Sequence, residues 1–169
     1  MSLNKEIFFF FNNLAGKNNI LDGAWVFLAQ YAIFIFGLVM VYLLRKDRKL
    51  FIKASLSALI TVVIVALVKK ICFFPRPFAQ EEARLLISHI ADSTFPSKHT
   101  AVAFSLAFGI FLEKKHLGIW LLALALLIGL SRIVTGVHYP ADILAGILIG
   151  ICVSLLTHKF SFQKHKNPL

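Results

Sequence analysis

The residue types best suited to chemistry gather in one stretch, 131–142, which reads Ser-Arg-Ile-Val-Thr-Gly-Val-His-Tyr-Pro-Ala-Asp. It sets Arg132, His138 and Asp142 between two apolar runs. A helix beginning near Pro140, a residue favoured in a first turn, puts Asp142 about one turn beyond His138. A carboxylate there can hold one imidazole nitrogen and leave the other free to react, the arrangement of an activated histidine with its orienting partner. The same residues also fit a loop histidine, a helix-capping acid and a snorkelling arginine. The stretch alone does not separate these readings.

The elements that must position these groups are membrane helices. Of 169 residues, 59% are hydrophobic and 17 are Phe, and the mean hydropathy is +0.81. A soluble domain is usually about 45–50% apolar. Several spans of about 20 residues leave no room for a separate soluble domain, so residues 1–169 read as a single integral-membrane domain. The net charge of +10 comes from Lys and Arg at the ends of apolar runs, where they anchor to headgroups and set topology. Nucleic-acid binding is not expected, because no motif for it is present. Cys72 and Cys152 lack ligand spacing and read as small apolar fillers.

Taken in order, the Phe-rich segment around 7–11 is too short to span, lacks a signal-peptide cleavage pattern and reads as an interfacial helix. Apolar runs predict spans at about 24–44, 51–68, 100–112, 117–134 and 141–157. The loop 69–97 holds Pro75, Pro77 and Pro96, and its middle, 81–90, predicts a short helix with Leu85, Leu86 and Ile90 on one side. Glu81, Glu82 and Arg84 read as its solvated face, Lys70 as a headgroup anchor, and His89, His116, His158 and His165 as exposed loop or tail residues. Gly146 and Gly150 form a G-x-x-x-G, with Ala141 and Ala145 on the same small-residue face; such glycines are either incidental or a packing seam.

Five spans place alternate loops on opposite sides. The side receiving 45–53, 113–116 and the tail with Lys159, Lys164 and Lys166 carries ten Lys and Arg against two acids; the other carries eight against six. The positive-inside rule then puts the first side in the cytoplasm. The second side receives nearly every unusual polar residue: Lys69 and Arg76; Ser97, Lys98 and His99; Arg132, His138 and Asp142. A charge within a span costs roughly 2.5–3.5 kcal/mol, so such a convergence argues for a site rather than for scattered snorkelling.

That site asks for an anion. Lys69, Arg76 and Arg132 supply cations, and a guanidinium matches phosphate with two parallel hydrogen bonds. Ser97, near the start of the third span, adds a hydroxyl beside helix N–H groups. Two histidines suit displacement at phosphorus, one attacking and the other protonating the departing oxygen. No carboxylate cluster or Cys/His set has metal-ligand spacing, so neither metal nor cofactor is expected.

These residues are similar to the phosphatidic acid phosphatase type 2 superfamily, whose motifs read K-x6-R-P, P-S-G-H and S-R-x5-H-x3-D. Lys69 with Arg76-Pro77 fits the first, Pro96-Ser97-Lys98-His99 the second, and Ser131-Arg132, His138 and Asp142 the third. Lys98 stands where the pattern has Gly, a place that often marks close approach to a ligand; a lysine there offers a cation to a second phosphate. The resemblance implies an all-α polytopic bundle of about five transmembrane helices plus the interfacial helix. It implies a metal-independent phosphatase with a phosphohistidine intermediate, its motif-bearing core at 69–142. It also implies His138 as nucleophile, Asp142 as its orienting partner, His99 as general acid, and Lys69, Arg76, Ser97, Lys98 and Arg132 as the phosphate cradle. The size, the Phe-rich segment and an outward-facing site look most like the bacterial undecaprenyl-diphosphatases of this superfamily, in the cytoplasmic membrane. Another lipid phosphate (phosphatidylglycerophosphate, phosphatidate or a lipid A phosphate) fits the motifs equally, and a non-enzymatic lipid-phosphate binder or transporter is the reading from another class.

Overall fold

The computed structural model describes residues 2–166, with side chains through residue 160. Among the described residues the regular structure is helical: α1 (Leu3–Asn12), α2 (Asn19–Gln30), α3 (Ile33–Lys46), α4 (Arg48–Ile71), α5 (Pro77–Gln80), α6 (Lys98–Glu113), α7 (Lys115–Val134) and α8 (Pro140–Lys166). The side chains of Lys164, His165 and Lys166 in the basic tail lie outside the described residues.

Helices α4, α7 and α8 are long and apolar enough to cross a membrane. The run at 24–44 is not one straight helix: α2 and α3 pass the same test together but meet at a bend of 46°. No proline causes it. In an unbroken helix the Ala29 carbonyl would accept from Ile33, but here it accepts from Arg132 Nη1 at 3.0 Å. A side chain that takes a carbonyl out of the helical ladder is a recognised origin of such bends.

α6 has 16 residues, which at 1.5 Å per residue is about 24 Å, short of the ~30 Å hydrocarbon core. It sits at the centre, packed on α8, α7 and α4. Ala101, Ala103, Ala107 and Ile110 are fully buried there. The G-x-x-x-G of α8 is a packing seam against it. A Cβ at Gly150 would lie 2.5 Å from the Ala101 carbonyl oxygen, and one at Gly146 would lie 2.9 Å from that of Ser97. Glycine at both positions lets the two backbones touch.

Where α4, α6 and α8 meet, hydroxyls join them inside the bundle. Ser57 lies 2.7 Å from Ser105 and 3.1 Å from Ser154, and Thr61 donates to Ser105 at 3.1 Å. All four are buried. At one end of the bundle, Asp47 caps α4 through Leu50 N at 3.1 Å and pairs with Lys114 at 3.0 Å, while Lys53 meets Glu113 at 2.8 Å. These contacts tie the α3–α4 and α6–α7 turns together. Cys72 and Cys152 are free thiols, and Cys152 is exposed rather than filling the core.

At the opposite end, the short helix expected over 81–90 is absent; the segment is irregular beyond the single turn of α5. Its backbone bonds go to distant partners instead. Arg84 N donates to Asn12 Oδ1 at 2.8 Å, Asn12 Nδ2 donates to Arg84 O at 2.8 Å, and Leu86 N donates to Thr135 O at 3.3 Å. Glu81, Glu82 and Arg84 therefore share no helix face, although Glu82 and Arg84 are exposed as expected: Arg84 Nη1 donates to Ala15 O at 2.7 Å, and Glu81 pairs with Lys5. Ile87, rather than Leu85 or Ile90, is the buried apolar residue. α1 is similarly two-faced. Phe10 is exposed, but Phe8 is fully buried against Tyr139, Ile133 and Ile143, and Asn12 reaches Val134 O at 2.9 Å.

Candidate active site

Three connections bring the polar residues together. The chain after α4 and the chain before α6 run alongside each other: Thr94 N donates to Phe74 O at 2.8 Å, and Ser93 Oγ donates to Cys72 O at 2.9 Å. Ser97 N donates to Asp142 O at 3.1 Å, which fixes the start of α6 against the first turn of α8. The α7–α8 turn folds back at Gly136, whose φ of 83° lies in the left-handed region. A Cβ there would also lie 2.5 Å from Arg84 O, so glycine is required on two counts.

A cavity of ≈ 180 Å³ results. Of the residues expected from sequence, Lys69, Arg76, Lys98, His99, Arg132 and His138 line it; His89 and Asp92 complete the wall. Asp142 stands behind His138. Ser97 is not among the lining residues: it occupies the N-cap position of α6, fully buried, with its hydroxyl 3.0 Å from Thr100 Oγ1.

His138 is 2% exposed and is held from its Nδ1 side. Asp142 Oδ2 lies 3.3 Å from Nδ1, and Thr94 Oγ1 lies 3.0 Å from it. Thr94 in turn donates to Asp142 Oδ2 at 2.6 Å, and Tyr139 N donates to the same oxygen at 2.8 Å. Nε2 faces Arg76 Nη1 at 3.3 Å. Burial holds the His138 imidazole well below the ordinary histidine range, and the charges of Arg132 and Arg76 add to the effect. The neutral ring is the form with a lone pair to offer.

The cations divide into satisfied and unsatisfied. Arg76 is buried and fully engaged: Nη1 donates to Val137 O at 2.8 Å, while Nε and Nη2 donate to Asp92 Oδ1 at 2.8 and 2.6 Å. Lys69 donates to Ser93 O and stands 3.9 Å from Asp92 Oδ2. Burial pushes the Asp92 carboxyl up, but the Arg76 bond and charge, with Lys69 beside them, bring it below the usual carboxylate value. Arg132 is 2% exposed, and its Nε and Nη2 have no hydrogen-bond partner. A buried guanidinium with unfilled donors carries a penalty that a bound oxyanion removes. Four cations and one carboxylate line the cavity, an excess of positive charge that suits an anion.

Three members escaped the sequence reading. His89 was expected to be an exposed loop residue but lines the cavity, brought there because loop 81–90 bonds to α1 and to the α7–α8 turn. Asp92 and Thr94 were not singled out. Thr94 lies three residues before Ser97, the one available hint, yet its partners become visible only when the strand-like pairing of 72–74 with 93–94 is known.

Fold and site first define a class: an integral membrane helical bundle whose buried His–Asp pair serves a phosphate-sized cationic cavity, as in a membrane phosphatase. The chain belongs to the PAP2 superfamily, whose sequence profile matches residues 50–166. It is 33% identical over 163 residues to the undecaprenyl-diphosphatase BcrC of Bacillus subtilis, covering 94% of this chain and 84% of that protein. It is 37% identical over 158 residues to a protein of Bacillus licheniformis named bacitracin transport permease protein BcrC, covering 90% and 78%. Among solved structures, that of Aquifex aeolicus LpxE is similar with a TM-score of 0.82 and 32% identity, covering 94% of this chain and 96% of that one.

Proposed function

We propose that the protein hydrolyses undecaprenyl diphosphate to undecaprenyl phosphate and inorganic phosphate, on the outer face of a bacterial cytoplasmic membrane. His138 Nε2 attacks the distal phosphorus; the bond to the bridging oxygen breaks, and its electron pair leaves with the lipid phosphate. His99, whose imidazole burial and the neighbouring cations hold low until the negative charge of the bound phosphate draws a proton onto it, delivers that proton to the oxygen, a role worth ~10²–10⁴-fold in rate. Asp142 holds Nδ1 and stabilises the ring as it becomes cationic. Lys69, Arg76, Lys98 and Arg132 offset the charge on the transferring phosphoryl, with Ser97 closing the turn at the α6 N-terminus. His99 then takes a proton from water, which attacks the phosphohistidine, frees phosphate and restores His138.

The observation that carries this reading is Arg132, buried with two unfilled donors in the wall of the cavity that His138 also lines. The Bacillus subtilis relative named undecaprenyl-diphosphatase BcrC supports the choice of lipid. The Lys and Arg distribution supports the outward orientation. The test is a substrate panel on purified protein in detergent, with chelator present, comparing undecaprenyl diphosphate, phosphatidylglycerophosphate, phosphatidate and lipid A. Undecaprenyl diphosphate should have the highest kcat/KM, and His138→Ala should lose nearly all activity. Release of phosphate from phosphatidate but not from polyprenyl diphosphates would overturn the substrate assignment.

The likeness to LpxE over 94% of the chain favours, as a second reading, another lipid phosphate, which the same panel separates. A binder or transporter, the reading suggested by the word permease in one relative's name, requires His138→Ala to keep full function.

A further inference from the structure

A second, open chamber of ≈ 310 Å³ adjoins the catalytic cavity. It shares His89, His99 and Arg132 with that cavity, and its other lining includes Gln30, Tyr31 and Ser88. His138, Lys69, Arg76 and Lys98 line the first cavity and do not line the second. His99 therefore borders both spaces, while the nucleophile borders only the first. In a displacement at phosphorus the attacking and leaving atoms lie roughly in line, on opposite sides of the transferring group. A group that protonates the departing oxygen must touch the leaving side. The chamber beyond His99 is the space that side occupies.

We infer that this chamber is a binding subsite for the leaving group, and specifically for the lipid-proximal phosphate of a diphosphate substrate, held by Arg132, Gln30 and Ser88. The inference rests on the diphosphate reading above and deepens it. Arg132 lines both spaces and has two unfilled donors, so one guanidinium can serve the transferring and the departing phosphate together. Lys98 lines the first cavity alone, which places its charge on the transferring phosphoryl and leaves the proximal phosphate to the second chamber. Gln30 and Tyr31 stand at the 46° bend between α2 and α3, where Phe27, Tyr31 and Phe34 are more than half exposed. The bend thus sets Gln30 in the chamber lining and Tyr31 at its edge, on a helix surface whose exposed aromatics suit an isoprenoid tail leaving toward the membrane. When the bridging bond breaks, its electron pair stays on the proximal phosphate, which takes the proton from His99 and departs from this chamber with the lipid.

Farnesyl diphosphate and farnesyl monophosphate share a tail and differ by the one phosphate. With full-length protein in detergent, Gln30→Leu should lower kcat/KM for the diphosphate at least ~tenfold more than for the monophosphate, the scale of one hydrogen bond to a charged group. Ser88→Ala, on an exposed loop, serves the same purpose where Gln30→Leu fails to fold. Inorganic pyrophosphate should inhibit the unaltered protein at least ~tenfold more tightly than inorganic phosphate, and that advantage should shrink in either variant. Equal losses on the two farnesyl substrates, or equal inhibition by the two anions, would overturn the subsite. Should the protein cleave phosphatidate and no polyprenyl diphosphate, the substrate assignment falls, while the pyrophosphate comparison still decides the subsite.

Discussion

Thr94 carries one hydroxyl hydrogen and faces two partners, Asp142 Oδ2 at 2.6 Å and His138 Nδ1 at 3.0 Å. A carboxylate only accepts, so the hydrogen goes to Asp142, and Nδ1 must then be the donor toward Thr94. The lone pair is thereby fixed on Nε2, the nitrogen that faces the cavity-lining Arg76. Thr94→Val should lower kcat by about 10–100-fold with a much smaller change in KM, and Thr94→Ser should restore most of it. A merely structural threonine would not show that split. Because burial depresses the His138 pKa, acidification protonates the ring only well below 6.5. Activity should hold as pH falls through 6.5 and drop at lower pH, seen as the acid limb of kcat/KM, which reports the free enzyme. A limb assigned to His138 at 6.5 or above would contradict the burial argument. The spacing of Lys69, Arg76, His99, Arg132, His138 and Asp142 was readable from sequence because each sits at a fixed place relative to an apolar run. Thr94 and Asp92 were not, since short polar residues are ordinary in loops and their partners come from elsewhere in the chain.

Elements were legible in proportion to how locally they are determined. The apolar runs behind α4, α7 and α8 declare themselves by composition. The bend between α2 and α3 does not, because its cause is the Arg132 guanidinium, roughly a hundred residues further on. Segment 81–90 has helical spacing of leucines yet stays irregular, because Asn12 and Thr135 take the backbone groups a helix would pair within itself. The α6–α8 seam was visible as small residues but not as a contact. Its tightness gives a prediction: Gly150→Leu cannot fit without moving α6, since even a Cβ would sit 2.5 Å from Ala101 O. A loss of several degrees in the thermal midpoint in detergent is expected, with lower activity as Ser97 and His99, about one turn from this contact at the start of α6, shift. An unchanged midpoint would mean that α8 can separate from α6 at little cost.

At the scale of the whole molecule, the N-terminal helix is tied to the loop and to the α7–α8 turn that carry the site. Asn12 pairs with the Arg84 N–H and carbonyl and with the Val134 carbonyl, and Asn4 Oδ1 accepts from Ala141 N at 3.0 Å. Asn12→Leu leaves three buried or part-buried backbone groups unpaired, at about 1–3 kcal/mol for each group fully removed from water. Calorimetric or fluorescence unfolding in detergent should show a clear loss of stability, and activity should fall because the freed loop carries His89 and Asp92. Full stability in that variant would make α1 a mere surface helix.

Asp92 reaches further than its place in the wall suggests. Its carboxylate occupies the fork of Arg76 and stands near Lys69, so the cradle already holds an anion of its own when no lipid is bound. Under the proposed mechanism, arrival of a phosphate would exchange one internal counter-ion for an external one. The affinity for substrate would then be the difference between two ion pairs, and the returning carboxylate would help the spent phosphate to leave. Removing that charge with Asp92→Asn should tighten inhibition by inorganic phosphate while slowing turnover. In such a site the rate would be set by how readily the cradle changes hands.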